Sequence, residues 1–338
     1  VLPTPGPEPR LIIFYDKLAQ ELGLNPSGHA ESLIAETLCG NILPANSQPI
    51  AQAYAGHQFG HFTVLGDGRA IVLGEYQLPD QSLIDIQLKG CGPTVYSRRG
   101  DGLATLGSMI KEYIYSEAMH SLGVSSSRSL ALICTGELVY RERPYPGAVL
   151  TRVAKSHIRI GTFEFARLTG IEELKALTNY TIHRHYPDLL HDKNTVLSFL
   201  ERVIDRQAQL VAQWMSLGFI HGVMNTDNIS ICGETIDYGP CAFLDEYDPK
   251  AVFSSIDRQG RYAYGAQPGI MHWNLCRFAE TLLPLIDPEH PEQSINKAQD
   301  ILSNFQRRFE SYRAIYFCKK IGLTFINSLS ISLFLAFN

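Results

Sequence analysis

His221-Gly222-Val223-Met224-Asn225-Thr226-Asp227-Asn228, followed nine positions after its last residue by Asp237 of Asp237-Tyr238-Gly239, carries more chemistry than any other stretch of the chain. The amide oxygen of Asn228 and the carboxylate of Asp237 are hard donors of the kind that hold Mg2+ or Mn2+ together with phosphate oxygens. Asp227 adds an ionisable group beside them. Taken one at a time, such residues cap turns and helices more often than they bind metal. The ordered set makes a metal-nucleotide site the stronger reading.

The order is similar to the two loops of a protein-kinase-like domain, in which one loop carries a base and a metal-binding Asn and a later Asp-x-Gly supplies the second metal contact. The match fails at one place. Counting back five from Asn228 reaches Val223, where ordinary kinases have their catalytic aspartate, and valine cannot accept a proton. Asp227 is the nearest alternative base. Ordinary phosphoryl transfer is therefore disfavoured, while metal-nucleotide binding is not.

Working upstream, Leu83-Ile84-Asp85-Ile86-Gln87-Leu88-Lys89 alternates as a strand should, with Ile84, Ile86 and Leu88 on one face and Lys89 on the other. Residues 103–122 change to helical spacing, and Glu112 lies beside the apolar stripe. Lys89 and Glu112 thus fit the strand lysine and helix glutamate that pair in kinases. Gly66-Asp67-Gly68-Arg69 is neither a Walker loop nor GxGxxG. By itself it reads equally as a hairpin turn, although glycines let backbone NH groups approach an anion and Arg69 adds a multidentate donor. Asp101-Gly102, Arg152 and Arg159 extend the same logic.

His57 and His61, four apart, are read as structural or substrate-contacting because Gly56 and Gly60 oppose a helix and no HExxH is present. Residues 11–40 show helical periodicity, residues 130–134, 138–141 and 149–153 read as strands, and residues 196–217 form an amphipathic helix ended by Gly218. The expected architecture is α+β and two-lobed, protein-kinase-like. Its parts are an N-terminal extension (1–50), a strand-rich part with the glycine-rich loop and the Lys/Glu pair (51–150), and a helical part with the catalytic and metal-binding loops (151–338).

Hydrophobic residues make up 45% and charged residues 19%, an ordered globular composition. The net charge of -5 argues against nucleic acid and anionic membrane as partners. Arg141, Arg143, Arg152, Lys155, Arg159 and Arg167 still make a local basic run, either an anion-binding surface or a solvated face. Seven scattered cysteines without CxxC point to a reducing compartment. Residues 1–10 show no signal-peptide pattern, and the apolar stretch 323–337 is too short to span a bilayer, so a buried helix or an unnatural tail is expected there.

AGHQFGHF, LGDGRA, QLKG, YSRRGDG, LTRVAKSHIRIGTFE, HGVMNTDN and IDYGP, spread from about residue 11 to 308, together resemble the SelO (YdiU/UPF0061) family. The resemblance implies a pseudokinase fold that binds ATP in a flipped orientation and, with Mg2+ or Mn2+, transfers AMP to Ser, Thr or Tyr of protein substrates. It implies nucleotide contacts at Gly66, Gly68, Arg69, Lys89, Asp101, Gly102, Arg152 and Arg159, with Glu112 supporting Lys89. Asp227 is then the base, and Asn228 and Asp237 are the metal ligands. Members commonly run longer, so the C-terminal part is expected to be truncated or divergent, and some end in a redox motif missing here. A cytoplasmic location is implied for a bacterial chain, and a mitochondrial one for a eukaryotic chain that has lost a transit segment. From the residues alone, γ-phosphate transfer and an inactive nucleotide-binding interaction protein remain the competing functions.

Overall fold

The computed structural model describes residues 1–24 and 28–323, so the expected C-terminal helix lies, apart from Leu323, outside the described residues. The chain divides into two compact units. The first comprises Val1–Ala55, Val64–His157 and Glu234–Tyr238; the second comprises Gly56–Thr63, Ile158–Gly233 and Gly239 onward.

In the first unit, in chain order, come β1 (Arg10–Phe14), α1 (Asp16–Glu21), α2 (Glu31–Cys39), β2 (Ala53–Gln58), β3 (His61–Gly66), β4 (Ala70–Gln77), β5 (Leu83–Lys89), α3 (Leu106–Ser121), β6 (Arg128–Tyr140) and β7 (Pro144–Ala154). Five of the strands form one sheet in the order β1-β6-β7-β5-β4, with every pairing given for it antiparallel, while β2 and β3 make a separate hairpin. The hairpin tip, Gly56–Thr63, belongs to the second unit. Residues 1–50 are not a separate extension, because β1 is an edge strand paired with β6 and α2 packs on the sheet. The helical periodicity of residues 11–40 holds only in part, since Arg10–Phe14 exchanges ladder bonds with β6. β6 is one strand where the sequence suggests two; the ladder is interrupted between Cys134 and Leu138.

Alternation along the strands decides what each face carries. Ile71, Leu73, Leu88, Ala131, Ile133 and Val149 pack with Ala35 and Cys39 of α2, and the Thr151 hydroxyl donates to the Leu38 carbonyl at 2.7 Å. Leu132, Ala148 and Leu150 point the other way and pack with Met109 of α3. Lys89 follows Leu88, and Arg152 follows Thr151, so both side chains emerge on the α3 side. The Thr105 hydroxyl caps that helix by accepting from the Ser108 amide.

The second unit is mainly helical: α4 (Ile160–Thr169), α5 (Ile171–His185), α6 (Thr195–Leu217), β8 (Phe219–Ile220), β9 (Ala242–Phe243), α7 (Gln267–Ile286), α8 (Pro291–Ser303) and α9 (Phe305–Lys320). α6 buries Phe199, Leu200, Val203, Ile204, Leu210, Val211 and Trp214. Its C-terminus is closed by Gly218 at φ +70°, a left-handed conformation that favours glycine. Phe163, Phe199 and Phe278 bring α4, α6 and α7 together, with ring centroids 5.1 to 5.9 Å apart. Among the described residues no helix is long and apolar enough to cross a membrane.

Candidate active site

Lys89, Glu112, Arg152 and Asp237 meet in the first unit. Lys89 Nζ lies 2.7 Å from Glu112 Oε2 and 2.7 Å from Asp237 Oδ1. Arg152 Nη1 lies 2.7 Å from Glu112 Oε1 and 2.8 Å from the same Asp237 oxygen, while its Nε donates to Gln87 Oε1 at 2.6 Å. The sheet register explains this last bond, since Gln87 stands directly across from Arg152 on β7. Lys89, Glu112 and Arg152 are all at most 5% exposed. Burial raises the Glu112 pKa, but Lys89 and then Arg152 outweigh it and the net shift is downward, so the carboxylate stays charged. Two cations and two carboxylates thus meet here, with Asp237 the partly exposed member.

Asp237 reaches this cluster because residues 234–238 return to the first unit. Ser127 N donates to the Thr235 carbonyl at 3.0 Å and Thr235 N to the Ser125 carbonyl at 2.9 Å. Asp237 itself sits at φ +61°, a left-handed conformation that costs on the order of 1 kcal/mol for a residue with a side chain.

In the second unit the loop 221–228 is buried, and amide side chains satisfy its backbone. Gln267 accepts from His221 N and donates to the Phe219 carbonyl, and Asn274 donates to the Met224 carbonyl at 2.9 Å. Thr226–Asn228 closes as a single tight helical turn. Asn228 donates its Nδ2 to the Val223 carbonyl at 3.0 Å, which orients the amide oxygen, an acceptor only, away from that bond.

The hairpin tip clasps this loop. His57 N donates to the Thr226 hydroxyl at 2.8 Å, and that hydroxyl donates to Glu164 Oε2 at 2.6 Å. His57 Nδ1 is 2.6 Å from the other Glu164 oxygen. Burial holds the Glu164 carboxyl up at about 7, and burial, helped by Arg277, lowers the His57 pKa. Burial thus disfavours the charged form of both groups. Gln58 Nε2 reaches Asp227 Oδ2 at 3.5 Å, and a Cβ on Gly56 would stand 2.4 Å from Asp227 Oδ1. Strand geometry, with no helix through His57 and His61, puts His57 against Glu164.

The remaining expected contacts are placed as follows. Gly66 lies against the Tyr96 ring, where a Cβ would come within 2.2 Å, and Gly68 lies against the Tyr96 carbonyl; packing by itself accounts for both glycines. Arg69 sits at the end of this turn, its carbonyl accepting from Gly90 N at 2.7 Å. Asp101 is held by two bonds from Arg141, at 2.7 and 3.1 Å, and Gly102 takes φ +69° against Gly92. Arg159 is buried at the start of α4 in the second unit, with its amide donating to the Thr162 hydroxyl at 3.0 Å. Asn228 and Asp237 belong to different units. Sequence reasoning missed Glu164, Thr226 and the role of Gly56, although each lies in one of the quoted motifs, LTRVAKSHIRIGTFE, HGVMNTDN and AGHQFGHF.

Among solved structures, ROP2 from Toxoplasma gondii, described as a virulence factor with a protein-kinase fold and no enzymatic activity, matches 84% of this chain and 87% of its own at 10% identity and a TM-score of 0.36. A Toxoplasma gondii rhoptry antigen kinase domain matches 78% and 86% at 9% identity, with a TM-score of 0.32. These superpositions are too loose to bear on the site, and the kinase-like character rests on the elements above. Among curated relatives, the protein nucleotidyltransferase YdiU of Brevibacillus brevis is 56% identical over 322 residues, covering 95% of this chain and 65% of the relative. Its namesake in Halalkalibacterium halodurans is 57% identical over 325 residues, covering 96% and 66%. The chain thus spans about two thirds of the length of these relatives. The family described as protein adenylyltransferase SelO matches residues 1–335, and this chain belongs to it.

Proposed function

We propose that the chain transfers AMP from ATP to a Ser, Thr or Tyr hydroxyl of a protein and releases pyrophosphate. The observation that carries this reading is the buried Lys89–Glu112–Arg152 cluster closed by Asp237, in a chain that also carries an Asp227 held in place by its own clasp and has valine at position 223. Lys89 and Arg152 supply charge to phosphate oxygens, and Glu112 fixes both. Gly66, Gly68, Arg69, Asp101, Gly102 and Arg159 complete the nucleotide contacts.

Asn228 and Asp237 each carry the kind of oxygen donor that Mg2+ or Mn2+ takes. When bound, it would neutralise charge on the phosphates. Asp227 accepts the hydroxyl proton as that oxygen forms its bond to the α-phosphorus. The bond from that phosphorus to the bridging oxygen breaks, and pyrophosphate leaves with the electron pair.

The test is product mass on a protein mixture incubated with ATP and Mg2+ or Mn2+. An AMP increment with pyrophosphate released is expected. Asp227→Asn should lower it by about a thousandfold while nucleotide binding persists. Phosphate increments with ADP would overturn the proposal.

A further inference from the structure

Arg261 has no place in the chemistry above, yet it stands beside the Asp227 loop in the second unit. Its guanidinium carbon lies 4.7 Å from the centroid of the Trp273 ring and 5.7 Å from that of Tyr262. The Tyr262 hydroxyl donates to Asn225 Oδ1, two residues before Asp227, and accepts from Phe59 N at 3.2 Å. A Cβ on Gly60 of the hairpin tip would stand 3.6 Å from the same guanidinium carbon. Arg261 is therefore tied to both halves of the clasp.

What Arg261 lacks is an anion. Among the described residues no carboxylate pairs with its guanidinium, and its buried Nε has no acceptor. The nearby Asp257 carboxylate is turned to the backbone amides of Arg261 and Tyr262, at 2.9 and 2.7 Å. Arg277, on the same indole at 5.1 Å, differs in having Glu280 at 2.6 Å. After burial, Arg277 and then Arg261 lower the His57 pKa, while Glu280 and Asp227 act in the opposite direction. A guanidinium held flat on aromatic rings keeps its fork of donors pre-organised for a carboxylate or a phosphate.

We propose that Arg261, backed by Trp273, receives an acidic side chain flanking the target hydroxyl of the acceptor polypeptide. The proposal rests on the protein-acceptor reading above. A polypeptide suits the surroundings better than a nucleotide phosphate does. Phe253 and Ile256, on the segment leading to Arg261, are 45% and 68% exposed and offer apolar contacts that a polyphosphate cannot use. Lys89 and Arg152 already answer for the phosphates.

The test is fluorescence anisotropy of the full chain with labelled peptides carrying one serine and one glutamate walked through the flanking positions, each with a glutamine twin. At one position the glutamate peptide should bind about tenfold more tightly than its twin. Arg261→Gln should erase that difference, and Arg261→Glu should reverse it in favour of the glutamine twin. The same ranking should hold in kcat/KM for AMP incorporation, with KM for ATP unchanged. Equal binding of all twins by the unsubstituted chain overturns the proposal, and that comparison needs no variant to fold. So does an Arg261→Gln variant that keeps peptide discrimination but loses inhibition by pyrophosphate, which would give the cation to the leaving group. Absence of AMP transfer alongside intact glutamate discrimination would refute the catalytic reading and leave the acidic subsite standing.

Discussion

In the first unit Glu112 and Asp237 are each gripped by Lys89 and Arg152, whereas in the second unit the immediate surroundings of Asp227 include a glycine and a long amide contact. One arrangement is held by buried charge and the other by close packing, two hydrogen bonds through Thr226 and the approach of His57 to Glu164. The difference has a physical consequence. Buried charges tolerate small displacements but not neutralisation, because an uncompensated ion in a dry pocket is costly. A packed contact is indifferent to charge and sensitive to one added carbon.

Neutralising the buried carboxylate is the largest expected stability effect. Glu112→Gln takes one carboxylate charge away from Lys89 and Arg152, and it should destabilise the fold by about 3 kcal/mol in denaturant unfolding. A loss below about 1 kcal/mol would mean that charge does not hold this cluster. The counterpart in the second unit is Gly56→Ala. Its new Cβ would meet Asp227 Oδ1 at 2.4 Å and Asp227 Cγ at 3.0 Å, so the carboxylate must move. AMP transfer should fall by about a hundredfold with nucleotide affinity unchanged, since displacement of a reacting group is expensive. Gly269→Ala, where a Cβ meets nothing within 4 Å, is the control that should leave turnover intact.

The Glu164 contact makes the clasp sensitive to pH. Its carboxyl titrates near 4.5 when unfolded and at about 7 when folded, with burial as the main cause. The folded chain therefore binds the extra proton between those values, and stability falls as pH rises through that window. His57 acts oppositely: its lowered pKa makes stability fall as pH drops below 6.5. Glu164→Gln should remove about 2 kcal/mol of the decline between pH 5 and 8 and leave the opposite slope of His57. Unfolding curves of the variant and the parent that keep the same pH dependence would show that Glu164 does not titrate in this range.

Much of the first cluster was legible because strand alternation is a local rule. Leu88 and Thr151 face α2, so Lys89 and Arg152 must face α3, and helical spacing brings Glu112 to that side. Other features turn on distant partners. His57 and Thr226 are 169 residues apart, and no periodicity announces that a strand will lie against that loop. Nor does the sequence announce that the Tyr96 ring will lie against Gly66. β1 was missed because five residues with mixed burial fit either period. Residues 234–238 join the first unit through bonds to Ser125 and Ser127, more than a hundred positions away.

The smallest expected effect concerns Asp101, another carboxylate of the first unit that is paired with an arginine. Arg141 holds it by two hydrogen bonds and keeps its pKa low, so the geometry alone looks as strong as that of Lys89 and Glu112. Solvent decides otherwise. The two side chains are 42% and 39% exposed, and in water the attraction is screened and offset by the entropy of fixing two side chains. Arg141→Ala should therefore cost less than about 1 kcal/mol, and that cost should shrink further at high salt. The loop has a second anchor that salt cannot weaken. Leu103 N donates to Asp101 Oδ1 at 3.0 Å, and Gly102 at φ +69° is pressed so closely on Gly92 that a Cβ would come within 2.1 Å of its carbonyl oxygen. Unfolding midpoints of Arg141→Ala and Gly102→Ala, measured at low and high salt, separate the two contributions. A salt-insensitive loss above about 2 kcal/mol for Arg141→Ala would place this pair with the buried cluster and undo the distinction between gripped and packed carboxylates.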